Sequence, residues 1–157
     1  MILLSGPGGE SVACAFRQYG LAARFYSPEI GRASAFKMLR SIFSKGIEAV
    51  LVETLVAARR AGLLNETWDE IRSILSTGNV EDTFETWIRS HARSAQRRYC
   101  EMQEVSQFLE DISISPVLPR ASAQVFARSC ELGVADAFPQ EPESFRDVIE
   151  FLERWYC

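Results

Sequence analysis

The residues best placed to do chemistry lie in one stretch, "IGRASAFKMLRSIFSKGIEAVLVETLVAARRAG", which runs from Ile30 to Gly62. Within it, polar side chains recur at steps of i, i+3, i+4, i+7 and i+8, namely Lys37, Arg40, Ser41, Ser44 and Lys45. On an α-helix this spacing places all five on one face. Three cations and two hydroxyls on one face favour binding of a small anionic molecule. The alternative is an ordinary solvated face of a long helix.

Small residues stand just before Lys37. Gly31, Ala33 and Ala35 have little or no side chain, so that a ligand or another backbone can approach them closely. Small residues at such positions also serve helix packing, and the sequence leaves both interpretations open.

The chain opens with "MILLSGPGGESVACAF", which predicts a strand, a glycine segment and a helix. This is the order in which phosphate-binding nucleotide sites are built. However, Gly6 and Gly8 do not continue into G-x-G-x-x-G, because Ser11 takes the third position. We therefore expect no dinucleotide fingerprint in this segment.

The element pattern indicates a mainly α fold. We predict a short strand-helix-strand unit followed by long helices, with strands at 2–4 and 21–26 and helices at 10–19, 31–61, 65–75, 81–111 and 120–132. Asn65 and Pro142 are the expected start signals of two helices. A dinucleotide fold alternates strands and helices over about 150 residues, whereas here the alternation stops after one unit. The expected domains are 1–27 and 28–157.

Composition excludes several classes of protein. The 157 residues carry a formal net charge of -4, which argues against nucleic-acid binding through bulk charge. One histidine and four dispersed cysteines without a CxxC pair predict no metal site. No apolar run approaches the ~20 residues of a membrane span, and we expect a cytoplasmic protein.

Gly31-Arg32-Ala33 followed by Lys37 resembles the G-x-G/A-x-x-x-K segment of the β-hydroxyacid dehydrogenases, the relatives of 6-phosphogluconate and 3-hydroxyisobutyrate dehydrogenases. The continuation "EAVLVETLVAARRAGL" is similar to the long helix that joins their two domains. "HARSAQRRYCEMQEV", from His91 to Val105, resembles a subgroup of phosphogluconate dehydrogenase-like carboxy-terminal domains. The resemblance covers roughly residues 1 to 135.

The resemblance implies a 6-phosphogluconate dehydrogenase carboxy-terminal type of helical domain, preceded by a β-α-β remnant of a Rossmann-type domain. Lys37 would be the catalytic acid/base, which takes the proton of the substrate hydroxyl while a hydride leaves the same carbon. Ser5, Gly6, Gly31, Arg40 and Ser41 would line the substrate site. The family often has asparagines where this chain has Arg40 and Ser41, so that a more acidic or phosphorylated hydroxyacid is expected.

The implied cofactor is NAD or NADP, bound only when a cofactor domain is supplied and not by the isolated chain. That nucleotide-binding half is expected before Met1. Arg97 and Arg98 would contact a cofactor phosphate, or else form an exposed solvated pair. The implied partner is a second copy in a homodimer or a Rossmann-domain partner, and a non-catalytic helical association module is the alternative.

Three further side chains are assigned structural roles. His91 is predicted to lie on a helix surface or to cap a helix. Glu48 and Glu53 are predicted to form surface pairs with Lys45, Arg59 or Arg60, as acidic and basic side chains on long helices usually do.

Overall fold

Helices account for most of the chain, and the fold class predicted from the sequence is confirmed. The computed structural model describes residues 1–76 and 78–154. In chain order its elements are β1 Ile2–Ser5, α1 Gly9–Gln18, β2 Ala23–Ser27, α2 Arg32–Ala61, α3 Leu64–Ser76, α4 Val80–Asp111, α5 Val117–Glu131, α6 Val134–Ala137 and α7 Phe145–Glu153. Among these residues, no helix is both long enough and apolar enough to cross a bilayer.

The chain divides into two compact units, residues 1–50 and residues 51–157. The first unit holds β1, α1, β2 and the beginning of α2, and the second holds the remainder of α2 and all later elements. The domain boundary expected after residue 27 stays a prediction.

The first unit is built around a parallel pair of strands. Ile2 pairs with Ala23 and Leu4 with Phe25, and the register shifts after Leu4. Parallel neighbours need a crossover connection, which α1 supplies. Ala13 of α1 is fully buried, so that this small helix closes one side of the pair.

The second unit has a small core of short side chains. Ala92 and Ala95 of α4 are buried together with Val134 of α6 and Val148 of α7. Around them pack larger, partly buried side chains: Ile88, Cys130, Phe138, Phe151 and Leu152. Alanines on α4 allow the neighbouring helices to approach closely, because they add no bulk beyond Cβ.

Two predicted helix starts are wrong. Asn65 lies inside α3, which begins at Leu64. Pro142 lies before α7, whose cap is Ser144, and the Ser144 hydroxyl accepts from the amide of Arg146 at 3.1 Å. Asp147 completes a capping box, and this reciprocal pair outweighs the preference of proline for a first turn.

Helix α5 begins at Val117, three residues earlier than predicted. Pro119 is compatible with this start, since a first-turn residue has no intrahelical partner for its amide. The interruption before α5 includes Ser113, which adopts a positive φ of 63°.

Helix α2 secures the turn between α4 and α5. The Glu53 carboxylate accepts from the amide of Leu118 at 3.0 and 3.2 Å, and Arg60 Nε donates to the carbonyl of Ile112 at 3.1 Å. The surface pairing predicted for Glu53 is therefore wrong, because its carboxylate accepts from the Leu118 amide, which has no intrahelical acceptor at the start of α5. The pairing of Lys45 with Glu48 is confirmed, with 2.6 Å between Nζ and Oε2.

Candidate functional site

Ser5 stands at the carboxyl end of β1 and reaches the beginning of α2. Its Oγ accepts from the amide of Ala33 at 3.1 Å. Ala33 is in the first turn of α2, where amides have no intrahelical partner. A hydroxyl also carries one donor proton, which no contact within the described residues consumes. Ser5 thus caps α2 and keeps its hydroxyl proton as a donor.

Gly6 and Gly31 shape the backbone beside Ser5. Gly6 has a φ of 103° and Gly31 a φ of 85°, conformations that side-chain-bearing residues rarely adopt. The Gly6 amide donates to the carbonyl of Ser27 at 2.9 Å, and the Gly31 carbonyl accepts from Ala35 at 2.9 Å. The structure therefore brings the predicted residues Ser5, Gly6 and Gly31 to the start of α2, where the positive end of the helix dipole favours anions.

Lys37, Arg40 and Ser41 lie further along α2. At 1.5 Å per residue, Lys37 is about 9 Å along the axis from Gly31. Lys37 and Arg40 are exposed and Ser41 is half-buried. The Ser41 hydroxyl donates to the carbonyl of Lys37 at 2.9 Å, so that its proton is engaged by the helix and its oxygen is left as an acceptor.

Arg97 and Arg98 face different surroundings. Arg97 is exposed and forms an ion pair with Glu101. Arg98 is half-buried; its two terminal nitrogens donate to the carbonyl of Trp87 at 3.0 Å and to Ser90 Oγ at 2.8 Å. The alternative of a solvated pair is therefore wrong for Arg98, since backbone and hydroxyl acceptors on its own helix fold it back against α4.

A second group of polar residues surrounds His91 on α4. His91 is half-buried, and its Nε2 lies 2.9 Å from Ser129 Oγ. Ser129 is 1% exposed and donates its hydroxyl proton to the carbonyl of Val125 at 3.2 Å. His91 Nε2 and the Ser129 hydroxyl are therefore hydrogen-bonded, and the imidazole tautomer decides which of the two donates. The predicted surface or capping role of His91 is wrong, because Ser129 of α5 provides a buried partner.

The electrostatics of this group follow from burial. Burial lowers the pKa of the His91 imidazole below its ordinary value, and the Arg98 guanidinium lowers it further. Burial likewise lowers the pKa of Arg98, followed by the charge of Arg97, while Glu101 opposes the shift. His91 is therefore neutral at neutral pH.

The α4 side chains around His91 could have been grouped from their spacing in the sequence. Trp87, His91 and Arg98 are separated by four and seven residues, so that a helix through them places all three on one face. The partner Ser129, 38 positions from His91, has no such signal.

Comparison with known proteins links the helical part of the chain to a domain family. Residues 58–129 match a domain of unknown function, DUF1932, which is the C-terminal domain family found in 3-hydroxyisobutyrate dehydrogenase-like proteins. The matched range runs from the end of α2 to α5 and leaves out residues 5–41, which hold the predicted catalytic and substrate residues.

Two individual proteins are similar over longer stretches. The "Uncharacterized 28.5 kDa protein in 7S RNA 5'region" of Methanothermus fervidus is 26% identical over 109 residues, which make up 69% of this chain and 43% of that protein. The crystal structure of a conserved hypothetical protein from Sinorhizobium meliloti 1021 is 25% identical with a TM-score of 0.44, over 97% of this chain and 50% of that one. The chain thus spans half or less of the length of these relatives.

Proposed function

We propose that this chain is the C-terminal, substrate-binding and dimerisation half of an NAD(P)-dependent 3-hydroxyacid dehydrogenase of the 6-phosphogluconate type. The nucleotide-binding half would be supplied by another segment or another chain. The match of residues 58–129 to a C-terminal domain family of 3-hydroxyisobutyrate dehydrogenase-like proteins is the observation that carries the proposal.

The exposed two-stranded sheet of the first unit supports the proposal that a further domain packs against it. Parallel sheets are normally covered on both faces by helices, and a two-stranded pair is marginal by itself. Here Ile2 is 40% exposed and Tyr26 is 39% exposed. A Rossmann-type half that continues this sheet would cover both side chains.

In the proposed reaction the substrate carboxylate binds the Ser5 hydroxyl at the start of α2, and Arg40 attracts a second anionic group. Lys37 accepts the proton of the substrate hydroxyl while the hydride leaves the carbon that bears this hydroxyl. The nicotinamide cofactor would supply the acceptor for that hydride. A lysine base works best when its charged form is disfavoured by burial or nearby cations.

Lys37 is exposed in this chain, so the proposal requires a second surface that buries it. Its apolar neighbours favour such a surface, since Phe36, Met38 and Leu39 are 40%, 68% and 66% exposed. Docking of the cofactor half on this segment would bury these side chains and exclude water from the lysine.

The same exposed side chains favour a second candidate function, a non-catalytic helical association module. A long helix with exposed apolar residues holds a dimer as readily as it holds a substrate domain. The two functions differ in whether any partner confers turnover.

Reconstitution tests the proposal. The chain is co-expressed with the segment encoded immediately upstream, in frame or adjacent, and NAD(P)H formation is followed with a panel of anionic 3-hydroxy acids. We expect turnover only when both halves are present, and weak or no NADPH binding to the chain alone in a fluorescence titration. A stable complex without turnover on any acid of the panel would favour the association module.

A further inference from the structure

A cavity of about 450 Å³ opens in the second unit between α4, α5 and α7. Its walls are mainly apolar and are formed by Trp87, Ile88, Phe126, Val148, Ile149 and Leu152. Two of these side chains, Trp87 and Phe126, are large and aromatic. Small-molecule sites span roughly 300–1,000 Å³ and combine apolar walls with a few placed polar groups. This cavity has the size and the lining of such a site.

Arg98 gives the cavity a fixed positive charge. Its hydrogen bonds to Trp87 and Ser90 hold the guanidinium in place, so that little side-chain freedom is left to lose on binding. Two of its five N–H donors are used in these bonds, and three remain. Within residues 1–76 and 78–154, no carboxylate forms an ion pair with Arg98, and Glu101 is taken by Arg97. A partly desolvated cation that no carboxylate of the described residues contacts directly favours an anionic ligand.

His91 and Phe126 add two tilted aromatic rings to the wall of the same cavity. Their ring centroids are 5.6 Å apart with an interplanar angle of 40°. The hydrogen bond between His91 Nε2 and Ser129 Oγ holds the ring in place and leaves Nδ1 as its remaining polar atom. Aromatic rings pack favourably in offset or tilted arrangements beside such surfaces.

We propose that this cavity binds a small aromatic carboxylate, with the ring between Trp87 and Phe126 and the carboxylate on Arg98. One guanidinium suits a carboxylate, which it can bind through two parallel N–H···O bonds. A phosphate group would need more cations or a cradle of backbone amides than the cavity lining provides. The site lies wholly in the second unit and does not depend on the dehydrogenase proposal.

The test is a calorimetric titration of the full 157-residue chain with 3-phenylpropanoate, with 3-phenylpropanamide and with inorganic phosphate. We expect saturable binding of the acid, and binding at least about tenfold weaker for the neutral amide, because the charge-assisted bond to Arg98 is lost. No saturable binding of the acid at millimolar concentration, or equal binding of acid and amide, would overturn the proposal. Phosphate that binds as tightly as the acid would overturn it as well.

Two variants locate the site. Arg98→Gln removes the charge while it keeps a polar side chain, and we expect a loss of affinity for the acid of about tenfold or more. Arg93→Gln removes an exposed charge of the same helix and should change the affinity less than twofold. Equal effects of both substitutions would refute the assignment. If Arg98→Gln does not fold, the comparison of acid and amide on the unmodified chain still decides the proposal.

Discussion

The imidazole of His91 is held neutral inside the second unit, and this makes the stability of the protein depend on pH. The folded pKa is lowered by burial and then by Arg98, whereas the unfolded value is about 6.5. The unfolded chain therefore binds the proton more tightly than the folded chain does. The stabilisation is complete above about pH 6.5 and is lost as pH falls through the window toward the lower folded pKa.

We expect the free energy of unfolding, measured by urea titration, to decrease between about pH 7 and pH 5. His91→Gln retains a donor for Ser129 but cannot titrate, and its unfolding free energy should stay flat over that window. His91 is the only histidine of the chain, so that no other imidazole contributes. Parallel pH profiles for the two proteins would contradict the assignment.

Residue roles that depend on distant partners could not be predicted from the sequence. Ser5 and Ala33 are 28 positions apart, and Glu53 and Leu118 are 65 apart. Spacing within one helix predicts which side chains share a face, but it contains no information on which amide of another element will lie opposite. Lys37, Arg40 and Ser41 share a helix as predicted, and their catalytic and substrate roles stay predictions.

At the scale of elements, the side chain of Glu53 in α2 caps the N-terminus of α5 in place of a residue next to that helix. Pro116, which precedes α5, makes no side-chain capping bond, and the Glu53 carboxylate accepts from Leu118 instead. A carboxylate near a helix N-terminus also interacts favourably with the helix dipole.

Glu53→Gln should therefore lower the free energy of unfolding by about 1 kcal/mol, because a neutral amide is a weaker acceptor for the Leu118 amide. Glu48→Gln is the matched control, since Glu48 forms only an exposed pair with Lys45, and it should change stability by less than about 0.5 kcal/mol. Both are measured by urea unfolding followed by circular dichroism. An equal effect of the two substitutions would refute the capping role.

The long helices were predictable because their apolar residues repeat over many turns. α2 and α4 begin within one residue of their predicted starts and end at the predicted residues, Ala61 and Asp111. Helix α6 has four residues, too few for any periodicity, and was not predicted. The starts of α3, α5 and α7 depend on competition between nearby capping residues, which propensity alone does not decide.

At the scale of the whole molecule, α2 carries exposed apolar side chains in each of the two units. Ile42, Met38 and Leu39 are 72%, 68% and 66% exposed, and Val52 and Val56 are 60% and 55% exposed. Contiguous exposed apolar side chains mark association surfaces, and both proposed functions require one here.

We expect the isolated chain to self-associate in sedimentation velocity at micromolar concentration, and Ile42→Glu to shift it toward monomer. Val117→Glu is the control, because Val117 is 62% exposed at the first turn of α5, where a carboxylate is tolerated. A monomeric unmodified chain, or equal effects of both substitutions, would contradict association through α2.

The turnover number of the reconstituted enzyme with Lys37→Ala tests the central claim most directly. Removal of a general acid/base should lower kcat about a hundredfold or more, while the assembly of the two halves is unchanged in sedimentation. Arg59→Ala, which removes an exposed cation from the same helix, should leave kcat within about twofold. Turnover of Lys37→Ala equal to that of the unmodified enzyme would contradict the account.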